Sequence, residues 1–394
     1  MKKNIGPRLL TLLLAGLAMV GPFSIDTYLP SFPAIAQDLR VDEVLVQQTL
    51  SVYLLSFSFM MLFHGTLSDT FGRRPIILIS LVVYIAASIG AVWSPTLHWL
   101  LVFRGLQGMS AGAGVVIGRA IVRDRMAGAD AQRALAQITM VFGIAPAIAP
   151  IVGGWLQSVF GWQSVFVFLS LFGAVLFLAA YTALPESLPV AARQALHLRT
   201  IAGNYGSVLR NSRFLLMAFS LGAGFSGFGL YIASAPHFVM ELLKLPETAF
   251  AWLFVPMVTG LVGGAWVASR TAHSVVPGRM IRNGYLIMGA AVVINLLYNA
   301  IFPPMVPWVV LPLMLYNFGL ALLMPSITLR ILDLFPTMRG LTASLQSFVQ
   351  TAVFGAVAAI APLFFGSAFT LACGIAVAFC ISLACYKATC MRGH

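Results

Sequence analysis

The sequence predicts an all-α integral membrane protein with twelve transmembrane helices, built as two pseudo-symmetric six-helix bundles. Three observations predict it: a large apolar excess, twelve regularly spaced apolar stretches, and a one-sided distribution of basic residues. Of 394 residues, 60% are hydrophobic and only 9% are charged, against about 45–50% apolar in an ordinary soluble domain. That is roughly 236 apolar residues, room for roughly twelve spans of about 20. The remainder makes short loops and excludes an appended soluble catalytic domain of ordinary size. The net charge of +12 then reads as a determinant of membrane orientation and not as a nucleic-acid surface.

The apolar stretches fall at 9–35, 46–66, 75–95, 98–122, 134–158, 162–184, 213–239, 248–270, 281–302, 307–331, 341–364 and 367–387. Each is long enough to cross a bilayer as a helix, and backbone polar groups in lipid must be satisfied within their own segment. The first follows a basic start like that of a secretory signal, but it continues through Asp26 to Tyr28-Leu29-Pro30 without a small-residue cleavage site. It reads as a retained span. Twelve spans put both termini on one side. From a cytoplasmic N-terminus, the inner segments carry Lys2, Lys3, Arg8, Arg73, Arg74, Arg119, Arg123, Arg125, Arg133, Arg193, Arg199, Arg210, Arg213, Arg270, Arg279, Arg282, Arg330, Arg339, Lys387 and Arg392. The outer loops carry only Arg40 and Lys244. A missed span would swap the sides of every later loop and scramble this split.

The longest connection opens with Pro185-Glu186-Ser187-Leu188-Pro189. It divides the chain into an N-terminal six-helix bundle (1–190), a cytoplasmic linker (191–212) and a C-terminal six-helix bundle (213–394). Halves of this kind are what transporters made from repeats show. Direct self-similarity is faint, with Gly278-Arg279 as an echo of Gly72-Arg73-Arg74.

Two charges lie well inside the spans, Asp26 in the first and Arg104 in the fourth. Burying either is expensive, so each is a functional candidate. Counting at ~1.5 Å per residue, both lie ~10–15 Å below the outer surface and are placed to meet. A carboxyl in low dielectric takes up a proton when its countercharge leaves and releases it when the countercharge returns. Motion between the two spans would thus bind and release a proton; the plainer alternative is a permanent ion pair. Gln107 shares the arginine's helix face and is a candidate hydrogen-bonder of a substrate cavity, while Gly105, Gly108, Gly112 and Gly114 permit close helix approach. In the fifth span, Pro146 and Pro150 lie on one face and each removes a backbone donor, with Gly143, Gly153 and Gly154 thinning the helix. A kinked, closely packed helix is expected, with Gly260, Gly263 and Gly264 of span eight as a matching smooth surface. Asn317, Gln346 and Gln350 are the polar candidates for the cavity in spans ten and eleven. Between spans two and three, residues 65–75 read G-T-L-S-D-T-F-G-R-R-P, where Gly72 serves a tight turn and Asp69 joins Arg73 and Arg74 in a charge cluster.

That loop resembles the signature of the major facilitator superfamily. R-G-L-Q-G (104–108) resembles its span-four motif, A-P-A-I-A-P-I-V-G-G (145–154) its span-five antiporter motif, and S-I-D-T-Y-L-P (24–30) completes a resemblance to the Bcr/CflA branch of twelve-span drug:proton antiporters. The resemblance implies the major facilitator fold, alternating access, and drug efflux driven by inward proton flow. It assigns Asp26 and Arg104 to proton coupling and substrate, Gly65, Asp69, Gly72, Arg73 and Arg74 to a cytoplasmic gate, and Gly143, Pro146, Pro150, Gly153 and Gly154 to the antiport hinge. Met61, Thr66, Gln163 and Ala149 depart from the pattern, which bears on substrate range more than on fold.

Other classes find little support. No lysine follows a glycine, so no phosphate-binding loop for ATP is present. The six histidines are scattered, and the four cysteines, Cys373, Cys380, Cys385 and Cys390, have neither histidine nor acid beside them, so no enzyme, metal or cofactor is expected. The expected partners are small-molecule drugs, protons and the lipid bilayer, with no nucleic acid, for a monomer in a bacterial cytoplasmic membrane. The alternative is a proton-coupled importer or facilitator of a small nutrient on the same fold.

Overall fold

The structure is a computed structural model and describes residues 6–126, 128–193, 198–271, 275–336 and 338–391. Lys2, Lys3, Arg392, residues 194–197 of the expected linker, and His197, His273 and His394 lie outside the described residues. The described residues form fifteen α-helices and no strand: α1 (Pro7–Asp26), α2 (Phe32–Leu39), α3 (Glu43–Phe71), α4 (Arg73–Val92), α5 (Leu97–Ala111), α6 (Ala113–Arg125), α7 (Gly128–Phe160), α8 (Gln163–Ala183), α9 (Leu198–Leu209), α10 (Ser212–Ala233), α11 (Ala251–Thr271), α12 (Pro277–Ile301), α13 (Leu311–Asp333), α14 (Arg339–Ile360) and α15 (Ala368–Met391). Twelve helical segments are long and apolar enough to cross a membrane, and they coincide with the twelve expected stretches. The helix α9 lies within the expected linker.

Two of the spans that carry chemistry are not single helices. Span one is α1, a 3-10 turn at Leu29–Ser31, and α2. Pro30 and Pro33 lack the backbone N–H that would continue α1. Span four divides into α5 and α6 at Gly112, a residue of poor helix propensity whose Cα faces Met61 and His64 of α3. Span five, by contrast, continues as one helix through both Pro146 and Pro150.

The chain forms two compact units, 1–198 and 199–394. Within the first, α3 packs on α5, α4 on α8 and α1 on α7; within the second, α11 packs on α13, α12 on α15 and α10 on α14. Span for span these are the same pairings, so the repeat that is faint in sequence is plain in packing. It also exposes a register the sequence hides. Tyr28-Leu29-Pro30-Ser31-Phe32-Pro33 and Tyr231-Ile232-Ala233-Ser234-Ala235-Pro236 stand at the end of the first long helix of each unit, and Arg40 and Lys244 end the segments that follow. Arg40 and Lys244 are the two non-glycine residues of positive φ among the described residues, at 53° and 54°. The second segment is one residue longer, and that residue falls in a π-helical turn, His237–Leu242, the local form that absorbs an insertion. Gly278, the expected echo of Gly72, does not share its conformation. Gly72 has φ 104° and caps two helices, whereas Gly278 sits inside the first turn of α12.

Outward faces are apolar. On α8, Leu171, Val175 and Leu178 form an exposed stripe, a face that suits lipid and not water.

Candidate functional site

Arg104 is fully buried at the middle of the first unit, seven residues into α5. Its Nη1 donates to the Ser24 carbonyl of α1 at 3.0 Å and to Gln107 Oε1, one turn along its own helix, at 2.9 Å. The Gln107 amide is fixed at its other end, where Nε2 donates to Ser88 Oγ of α4 at 2.8 Å. Two aromatic rings flank the guanidinium, with Cζ 4.5 Å from the Tyr28 centroid and 4.4 Å from that of Tyr53. Each ring is tied by its hydroxyl. Tyr28 shares a 2.9 Å hydrogen bond with Thr49 Oγ1, and Tyr53 donates to the Gly21 carbonyl at 3.2 Å. A desolvated cation over an aromatic face gains about 2 kcal/mol, and hydrogen bonds from a charged donor about 1.5–3 kcal/mol each. These contacts replace the carboxylate that a buried arginine usually has.

Asp26 does not supply that carboxylate. It is buried, but no ion pair joins it to Arg104, and its Oδ1 has no hydrogen-bond partner. The reason lies in helix geometry. Asp26 is two residues beyond Ser24, about 200° around the helix, so its side chain leaves α1 in a different direction from the Ser24 carbonyl that Arg104 reaches. Asp26 is also the last residue of α1, at the break in span one. On the arginine side, Nε and Nη2 are likewise buried without a hydrogen-bond partner. The structure therefore holds an acid and a base at the same level of one bundle, both incompletely satisfied, and separates them.

Glycines fix these distances. A Cβ on Gly108 would strike the Tyr53 carbonyl, and one on Gly153 the Thr27 carbonyl. Gly108 thus brings the Tyr53 ring to Arg104, and Gly153 seats α7 against the break beside Asp26. Of the other span-five candidates, Pro150 and Gly154 are buried, Pro146 is half-buried, and Gly143 has nothing within reach of an added Cβ.

The 65–75 loop forms a second cluster at the other end of the unit. Arg73, largely buried, pairs with Asp69 and, through Nε, with Asp124 Oδ2 of α6 at 3.2 Å; its Nη1 also donates to Ser68 Oγ at 2.7 Å. Glu186, from the connection after span six, caps α4. Its carboxylate accepts the backbone N–H of Arg73 at 3.0 Å and of Arg74 at 3.2 Å, and Leu188 N–H at 3.0 Å. A Cβ on Gly72 would lie 2.5 Å from Glu186 Oε2. Arg74 turns outward, with Nη2 donating to the Tyr181 carbonyl at 2.8 Å. Gly65 has only Val116 near its Cα.

In the second unit, Asn317 is buried with Oδ1 unpartnered, Gln346 donates to Thr328 Oγ1 at 2.9 Å with Oε1 unpartnered, and Gln350 is half-buried. Gly260 and Gly264 lie against the backbone carbonyls of Met314 and Phe318 in α13, and Gly263 against the Phe318 ring, so the smooth surface of span eight is used inside its own unit. Sequence reasoning missed Tyr53, Asp124, Glu186 and a polar knot in which Ser220 and Ser382 exchange hydrogen bonds with each other's carbonyls while Tyr285 bridges them. The knot's signal was the small-residue spacing Ser220 to Gly224. The loop partners had a weaker one, acids near a basic turn but distant in sequence.

These motifs fall within a family. A profile of the Major Facilitator Superfamily matches residues 14–362. The chain belongs to the Major Facilitator Superfamily. It is a multi-pass membrane transporter and not an enzyme. Among major facilitator relatives, it is 28% identical over 361 residues to Multidrug resistance protein D of Escherichia coli (strain K12), covering 90% of this chain and 88% of that one. It is 32% identical over 263 residues to an uncharacterized MFS-type transporter, YdgK, of Bacillus subtilis (strain 168), covering 66% and 65% of the two chains. The Bicyclomycin resistance protein homolog of Haemophilus influenzae is 29% identical over 266 residues, covering 68% and 67%. Among solved structures, the human organic anion transporter MFSD10 (TETRAN) shares the fold with a TM-score of 0.67 at 18% identity, over 96% of this chain and 100% of that one.

Proposed function

We propose that this transporter exports small, largely apolar drugs in exchange for protons, working by alternating access in a bacterial cytoplasmic membrane with both termini inside. The observation that carries the reading is Asp26, a buried carboxyl at a helix break in span one whose Oδ1 has no hydrogen-bond partner, in the bundle that also buries Arg104. A carboxyl so placed binds a proton while its countercharge is withheld and releases it when the guanidinium arrives. If the state that binds the proton opens outward and the state that loses it opens inward, drug leaves as protons enter. One proton moving in through ~100 mV supplies ~2.3 kcal/mol, which converts to a drug gradient of about fiftyfold. The relatives named for multidrug and bicyclomycin resistance support the substrate class. The Asp69, Arg73, Asp124 and Glu186 cluster is assigned to the inner gate.

A drug-susceptibility panel in an efflux-deficient bacterial host, with and without a protonophore, tests this. Expression should raise tolerance to several unrelated apolar drugs, and the protonophore should abolish the gain. Raised sensitivity on expression would indicate an importer instead.

A further inference from the structure

The two rings around Arg104 are not explained by burial alone. Tyr28 lies at the break in span one, two residues after Asp26, and Tyr53 stands on α3; both are fully buried, with the hydroxyls hydrogen-bonded to Thr49 and to the Gly21 carbonyl and not to the guanidinium. What each presents to Arg104 is a ring face, within 4.5 Å of the guanidinium carbon. We propose that Tyr28 and Tyr53 are positioning residues for proton coupling: they clamp the Arg104 charge away from Asp26 and so set the external pH at which span one takes up its proton.

This inference deepens the proton-coupling reading and rests on it. The clamp competes with the carboxylate for one cation. While the rings, the Ser24 carbonyl and Gln107 hold Arg104, Asp26 lacks a counterion. If the rings release it, the unpartnered Nε and Nη2 are free to meet the carboxylate. The titratable groups near the guanidinium are Tyr28, Tyr53 and Tyr84 of α4, and Tyr53 is near Asp26 as well. The residues of α7 and α8 that pack on this part of α1, Gly153, Phe168 and Phe172, are uncharged. Gly108, one turn from Arg104, makes the arrangement possible by letting the Tyr53 backbone close on α5.

The test compares Tyr53→Leu and Tyr28→Leu, which remove the ring, with Tyr53→Phe and Tyr28→Phe, which keep its face and lose only the hydroxyl. Two readouts are taken on full-length protein. One is the pH of half-maximal drug efflux in vesicles. The other is the pH dependence of Asp26 modification by dicyclohexylcarbodiimide, which attacks protonated carboxyls, scored by mass spectrometry without any transport. Both leucine variants should move both profiles toward acid by about one pH unit or more, a tenfold change in proton affinity, while the phenylalanine variants stay near the parent. Should a leucine variant not be recovered folded, a fluorinated phenylalanine series at position 53 keeps the shape and weakens the ring face stepwise; the profile should then move in proportion to fluorination. Unchanged profiles across the leucine or fluorinated proteins, or equal shifts in the leucine and phenylalanine variants, would overturn the proposal. If Asp26→Asn exports drug undiminished while the labelling profile still follows the ring, proton coupling through Asp26 fails and the clamp stands.

Discussion

At position 104 the protein places a permanent positive charge in the middle of a bundle and stabilises it without an acid. The side chain suits that task only as arginine, because a planar guanidinium can meet two ring faces while it donates to a carbonyl and an amide oxygen. Lysine is a point charge with a strongly held hydration shell. Arg104→Lys should therefore lose about 2 kcal/mol or more, read as a lower midpoint of thermal unfolding in detergent, and should export no drug. Equal stability and export in the lysine variant would mean that charge alone suffices at this site. The sequence made Asp26 and Arg104 legible as candidates because a charge in an apolar run has few explanations. It made the distance between them illegible, since the two-residue step from Ser24 to Asp26 decides which face meets α5, and Tyr53, an aromatic residue in an apolar helix, looks like ordinary core until its ring is seen beside the guanidinium.

Helix ends and crossings depend on single residues in the same way. The turn between α3 and α4 depends on Gly72 for its φ of 104° and on Glu186 for the cap of α4. Losing a cap costs about 0.5–2 kcal/mol, and an L-residue in the glycine-only region that Gly72 occupies, φ 104° with ψ 152°, about 1–3 kcal/mol. Glu186→Ala should accordingly lower the unfolding midpoint modestly, and Gly72→Ala by more, because its methyl also meets the Glu186 carboxylate. At the crossing of α1 and α7, Gly153→Leu should cost more than either and abolish transport, since the obstacle to its Cβ is the Thr27 backbone and not a movable side chain. Thermal unfolding in detergent with drug efflux scores all three; a Gly153→Leu protein that unfolds and transports like the parent would remove the crossing from the mechanism. Apolar length made the twelve spans readable, and the breaks in spans one and four were half-announced by Pro30, Pro33 and Gly112. The π-helical insertion at His237–Leu242 was not, because one extra residue between Pro236 and Lys244 puts the two units out of step just beyond the match between Tyr28–Pro33 and Tyr231–Pro236. In the sequence Glu186 stands only in the connection after span six, and the fold brings it back to Arg73.

For the whole molecule, the distribution of charge governs orientation. Twenty of 23 basic residues fall on one side of the twelve-span topology, which predicts both termini in the cytoplasm. A reporter fused after Met391 that is active only in the cytoplasm should be active, and one active only outside should be silent; the reverse would overturn the topology and reassign the Arg73 cluster to the outer gate. Export by this transporter rests on a proton held on Asp26. Purified protein in liposomes, with an imposed pH gradient and simultaneous readout of drug and proton flux, tests it most directly. The parent should move protons down the gradient only when drug moves the other way. Asp26→Asn, at equal incorporation, should lose both the uphill drug flux and the drug-dependent proton flux; uphill drug transport at the parent rate in that variant would contradict the account.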